Sequence, residues 1–144
     1  MRPTRVLVVE PDRLVRDVIA RRLVAADYDV TACPGPSAPD YTCMGTRGSR
    51  CPLEAVADVV VLDADLPGEE VADAASGIDL LSYYTGMEKP TVTLRAAPQV
   101  LRLFAAEPIR NLEWPPETGA LIRAIDDALS SSRASAGATP RAGC

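Results

Sequence analysis

Apolar positions along this chain switch between unbroken runs and helical spacing. Val59-Val60-Val61-Leu62 places four apolar residues in a row, ends on Asp63 and is followed by Leu66-Pro67-Gly68. A run without alternation is what a strand buried on both faces looks like, as in a parallel sheet between two layers of helices. Arg5-Val6-Leu7-Val8-Val9-Glu10 has the same form, an apolar strand closed by an acid, with Pro11-Asp12 behind it. Leu14, Val15, Val18, Ile19, Leu23 and Val24 then recur at helical spacing, with Arg13, Arg16, Arg21 and Arg22 between them. Asp12 sits where a helix N-terminus favours an acid.

Tyr28 to Cys33 predicts a second strand, stopped by Pro34-Gly35-Pro36. A loop rich in Gly, Pro, Ser and Thr runs on to about Pro52, leaving only Leu53 to Ala57 for a helix. The second helix is therefore expected to be short or missing. The third strand covers Asp58 to Leu62. After a second long connection, Gly77 to Tyr84 reads as helix and Thr91 to Leu94 as strand. Gln99 to Ala106 reads as a short helix, Ile109 to Glu113 as a fifth strand, and Glu117 to Leu129 as a final helix with Leu121, Ile122, Ile125 and Leu129 inward. This alternation predicts an α/β domain over residues 1–129: a doubly wound, flavodoxin-like (βα)5 parallel sheet with strand order 2-1-3-4-5 and right-handed crossovers. Ser, Ala, Gly and Arg dominate from Ser130 onward, which predicts a frayed C-terminal tail over 130–144.

Composition narrows the chemistry. At 144 residues the chain fits one domain, and with one Trp, one Phe and four Tyr its core must come mainly from Val, Leu, Ile and Ala. A formal charge of −5 argues against a nucleic-acid surface, which needs clustered Lys and Arg. No apolar run approaches membrane-spanning length, and the first residues do not read as a signal peptide, so a cytoplasmic protein without membrane contact is expected. Histidine is absent, which excludes Ser-His and Cys-His nucleophile pairs and His-ligated metals. Neither common Gly-rich phosphate loop is present. Carboxylates, Arg, Lys and Cys remain.

In open parallel sheets ligand chemistry collects past the carboxyl ends of the strands, where Glu10 and Asp63 both fall. Two close carboxylates repel, so such a pair needs a cation, a shared proton or a basic side chain. The plainer alternative makes each acid a helix cap or a solvated loop residue. Cys33, Cys43 and Cys51 frame the long loop that replaces a helix, and Cys144 ends the chain. Their spacing matches no compact zinc pattern. Plain thiols, a Cys43–Cys51 disulfide and a metal site completed by another ligand all stay open.

These features together resemble the receiver domain of bacterial two-component response regulators, over roughly Arg5 to Leu129. The resemblance implies a phospho-acceptor at Asp63, with Leu66-Pro67-Gly68 behind it, and an acidic pocket for Mg²⁺ begun by Glu10. It also matches Pro115 to the proline after the fifth strand, whose preceding bond is often cis in that family. Three positions depart from the pattern. Pro11 stands where a second metal-binding acid is expected, Arg95 where a hydroxyl residue is, and Trp114 where a lysine is. Glu10 and Asp63, with Asp12 reaching in, would then hold Mg²⁺ only weakly, and no other cofactor is implied. The guanidinium of Arg95 at the end of the fourth strand is instead placed to bond the Glu10–Asp63 pair as an internal cation. Its rival is an Arg95 turned to solvent above hydrated acids. Trp114 either caps the core at the sheet edge or covers the pocket and serves a partner surface; Tyr83 and Tyr84 carry the same two readings.

The resulting expectation is a stand-alone, degenerate receiver without enzymatic activity. It would act by protein contact with a regulatory target or kinase, as a single chain or a homodimer, through a face including Glu107, Pro108, Trp114, Pro115 and Pro116. An active receiver phosphorylated on Asp63 by a histidine kinase is the first alternative. A cysteine-based redox or metal sensor on the same fold is the second.

Overall fold

The computed structural model describes residues 2–36, 43–64 and 77–138. Five strands form one parallel sheet: β1 (Arg5–Val9), β2 (Asp29–Cys33), β3 (Val59–Asp63), β4 (Thr91–Leu94) and β5 (Arg110–Leu112), in the order β2-β1-β3-β4-β5. The helices are α1 (Arg13–Ala25), α2 (Pro52–Val56), α3 (Gly77–Gly86), α4 (Pro98–Leu103) and α5 (Thr118–Ala138), with a 3₁₀ turn at Gly45–Arg47. The expected fold class and strand order hold.

Period-two side-chain alternation divides each central strand between two cores. Val6 and Val8 of β1 and Val59 and Val61 of β3 meet Ile19 and Leu23 of α1 and Leu121, Ala124, Ile125 and Ala128 of α5. Leu7, Val9, Val60 and Leu62 face the opposite way, against Leu80, Leu81 and Tyr84 of α3. Because both faces are covered, every residue of β3 is buried. Each fully buried Val or Leu contributes about 1.5–3 kcal/mol.

Four expectations are corrected. Leu14, Val18 and Val24 are exposed, so the inner stripe of α1 is Val15, Ile19 and Leu23. Apolar spacing alone could not choose between overlapping stripes; packing against β1, β3 and α5 does. The final helix does not stop at Leu129 but runs to Ala138, because its Ala/Ser sequence meets no glycine until Gly137 and no proline until Pro140. The remainder of the expected tail lies outside the described residues, as does Leu66-Pro67-Gly68. The fourth helix ends at Leu103, short of Ala106, and the fifth strand is only Arg110–Leu112.

The second helix is short, as expected, and is fastened by a polar cluster invisible in the sequence. Glu54 is fully buried. It accepts from Arg50 Nε at 2.9 Å and Tyr83 Oη at 3.3 Å, and lies 3.4 Å from Lys89 Nζ. Tyr83 Oη in turn accepts the Cys51 N–H at 2.8 Å. These contacts tie α2 to α3 and to the residues entering β4, a role that extended apolar packing plays along longer helices.

Candidate functional site at the carboxyl rim of the sheet

The register sets the site. Val9 pairs with Leu62 and Asp63 with Leu94, so β1, β3 and β4 end together and Glu10, Asp63 and Arg95 emerge at one rim. Gly77 brings α3 back onto the same corner. A Cβ there would lie 2.6 Å from the Ala64 carbonyl oxygen, an approach that only glycine permits.

Asp63 is wholly buried, and Arg95 grips it with both arms: Nε to Oδ1 at 3.1 Å and Nη2 to Oδ2 at 2.8 Å. This is the fork-to-fork geometry that makes arginine–carboxylate pairs strong and directional. About a third of the Arg95 side chain is still exposed (35%), so the pair is half roofed. The roof is Trp114, whose ring lies 4.5 Å from the guanidinium carbon. Stacking of this kind adds about 0.5–1 kcal/mol at a partly exposed site. Of the two readings of Trp114, pocket cover describes its position. The Trp114–Pro115 bond is cis, as the resemblance implied.

Arg95 adopts φ +46°. Left-handed backbone costs an ordinary side chain on the order of 1–2 kcal/mol, so neighbouring bonds must hold it. They come from β5: Arg95 N–H donates to the Leu112 carbonyl at 2.8 Å, and Ala96 N–H to Asn111 Oδ1 at 3.0 Å.

Glu10 is buried beside this pair. Its Oε1 accepts the Asp12 N–H at 3.1 Å, while Arg16 donates to its main-chain carbonyl at 2.9 Å. Oε2 is buried and meets no donor among the described residues. A proton on Glu10 resolves this, because Oε2 then becomes the donor toward Asp63. Burial, the hydrogen bond with Asp63 and the Asp63 charge push the Glu10 carboxyl up to about 8, against the smaller pull of the Asp12 N–H and Arg95. The direction of the shift favours a neutral Glu10 beside the Asp63 carboxylate and the Arg95 guanidinium.

The structure thus brings Glu10, Asp63, Arg95 and Trp114 together. It leaves Asp12 outside: its side chain is exposed and caps α1, with Oδ1 accepting from Leu14 N at 2.9 Å and Val15 N at 3.1 Å. The pocket receives only its main-chain N–H. Cys43 and Cys51 are free thiols, the first of the three readings left open, and the Cys51 N–H donates to Tyr83 Oη at the start of α2. Cys33 is buried at the end of β2, where its carbonyl accepts the Glu10 N–H at 3.1 Å. Among the described residues no group of three or more acids or cysteines is arranged to hold a metal, so the cysteines form no such cluster. Cys144 lies outside those residues. Glu107, Pro108, Trp114 and Pro115 are exposed, but Pro116 is buried. No described helix is long and apolar enough to cross a membrane.

No family model matches the sequence, and no curated protein does. Solved structures do resemble the fold. The chemotaxis protein CheY4 of Vibrio cholerae is 16% identical with a TM-score of 0.63, covering 88% of this chain and 99% of its own. A response regulator receiver domain protein of Clostridium thermocellum is 16% identical with a TM-score of 0.67, covering 91% and 98%. The signal receiver domain of a modulated diguanylate cyclase from Desulfovibrio desulfuricans is 20% identical with a TM-score of 0.68, covering 92% and 98%. The chain has the receiver fold of response regulators.

The resemblance drawn from the sequence implies Mg²⁺ at this rim, and the residues present do not fit it. Mg²⁺ demands near-octahedral oxygen ligands. Here both Asp63 oxygens accept from Arg95, Glu10 Oε1 accepts a main-chain N–H, and the Asp12 carboxylate is turned to its helix cap. A guanidinium lies on the carboxylate that a metal ion would have to share.

Proposed function

We propose that this chain is a receiver-type signalling module that works by protein contact, with Asp63 withheld from phosphoryl chemistry by Arg95. The bidentate Arg95–Asp63 pair carries this reading. A carboxylate whose two oxygens are both engaged is a poor nucleophile toward phosphorus. Phosphoryl transfer also rests on positioned cations, which this rim replaces with a single internal one. Its charge is already matched by Asp63, leaving none to meet an incoming phosphoryl group.

Regulation would then pass through a partner protein, either a target or a kinase. Exposed Glu107, Pro108, Trp114 and Pro115 lie on the side of β5 and form the proposed contact region. Trp114 links that region to the acidic pair, because the ring stacked on Arg95 is itself part of the surface.

Incubation with Mg²⁺ and acetyl phosphate, followed by intact mass, tests the proposal. We expect no phosphoryl adduct on the wild-type chain. An adduct that disappears in Asp63→Asn would establish the active-receiver alternative instead.

A further inference from the structure

If Arg95 is a lock, it has to be aimed, and its own backbone preference works against the aim. Residues that favour positive φ are Gly, Asn and Asp; arginine is not among them. The turn at Arg95 is instead bracketed by β5. Asn111 Oδ1 accepts two hydrogen bonds, from Thr93 Oγ1 at 2.8 Å and from Ala96 N–H at 3.0 Å. Leu112 O accepts the Arg95 N–H at 2.8 Å. Donors before, at and after the turn are thus tied to consecutive residues of one edge strand.

Asn111 stands out because nothing in its location requires this behaviour. It lies in the edge strand, exposed, beside an equally exposed Arg110. Its oxygen nevertheless turns inward to a threonine hydroxyl that is wholly buried and to a main-chain N–H on the far side of the turn. One acceptor therefore spans the corner from which Arg95 departs. We propose that Asn111 is a positioning residue, which by bridging Thr93 and Ala96 holds the turn at Arg95 and so directs its guanidinium onto Asp63. This rests on the lock described above and adds what keeps the lock closed.

Trp114, the single tryptophan, reports on it directly because its ring stacks on the Arg95 guanidinium. Arg95→Ala in the full chain sets the reference, the displacement of Trp114 emission when the guanidinium is gone. We expect Asn111→Ala to displace the emission in the same direction and at least half as far. Asn111→Asp keeps the acceptor oxygen and is expected to restore the wild-type spectrum. Thr93→Val removes one of the two donors in a near-isosteric side chain and is expected to move emission the same way; it also serves should Asn111→Ala fail to fold. If Arg95→Ala shifts the emission while Asn111→Ala and Thr93→Val leave it unchanged, the positioning role is wrong and the lock stands. Should Arg95→Ala itself move nothing, the lock falls and the positioning role falls with it.

Discussion

Glu10 makes the clearest demand at the scale of single residues. A carboxyl raised from 4.5 to about 8 on folding binds its proton more tightly in the native chain than in the unfolded one. Its contribution is full below the unfolded value of about 4.5, declines as pH rises through the window, and is lost above about 8. This dependence is opposite in sign to ordinary acid denaturation. Urea midpoints measured between pH 5 and pH 8 should fall with pH, and Glu10→Gln, a permanent mimic of the neutral acid, should flatten that slope. A slope unchanged in Glu10→Gln would show that the buried acid is already ionised. Arg95→Ala leaves the Asp63 carboxylate buried with one partner fewer and should destabilise the fold by about 2 kcal/mol, less than a fully buried pair because the arginine is partly exposed. Equilibrium denaturation at pH 7 reads this directly. At this scale the sequence is informative where a residue type is out of place: an arginine beyond the fourth strand and two acids at strand ends. Asn111 and Glu54 give no such signal, because an Asn on an edge strand and a Glu in a short helix look ordinary until their partners are known. Asp12 contributes less to the pocket than its position suggests; an acid before a helix has a cap to make, and that use wins.

Among the elements, the short second helix and the corner after β3 matter most. With only Pro52–Val56 to pack, α2 depends on the Glu54 cluster with Arg50, Tyr83 and Lys89. Glu54→Ala should therefore cost about 2–4 kcal/mol, since it leaves a largely buried lysine charge with only the Ala57 carbonyl, while Glu54→Gln, which keeps the acceptor for Tyr83, should cost less. Thermal denaturation of the two variants separates them, and equal losses would place the effect in packing alone. Gly77→Ala forces a methyl group against the Ala64 carbonyl oxygen, 2.6 Å away, and should destabilise by about 1–3 kcal/mol. A neutral Gly77→Ala in the same melts would mean that α3 can move off this corner. β1 and β3 read well from the sequence because four apolar residues in a row, closed by an acid and a turn, are too short for a helix and too apolar for a loop. Helix faces and helix ends read less well. In α1 two overlapping stripes share the same spacing, and no glycine or proline follows Leu129 until Gly137 and Pro140, where α5 ends.

For the whole molecule, sheet order and the meeting of Glu10 with Asp63 follow from βα alternation, which leaves few right-handed arrangements. The direction of Arg95 does not follow. It depends on a positive φ, on bonds from β5 and on a stacked indole, none of which any local pattern encodes. These contacts join Arg95, Asp63 and Trp114 into one cluster at the carboxyl rim of the sheet, beside Glu10. On the proposed function, the surface beside Trp114 is coupled to this internal ion pair through the ring stacked on Arg95. The most direct test is the arginine side-chain ¹⁵Nε spectrum of the wild type and of Asp63→Asn. We expect two carboxylate-bonded Nε–H resonances shifted downfield in the wild type, those of Arg50 on Glu54 and of Arg95 on Asp63, and only the second to return to the unbonded position when Asp63 loses its charge. A spectrum unaffected by Asp63→Asn would mean that Arg95 does not hold the carboxylate.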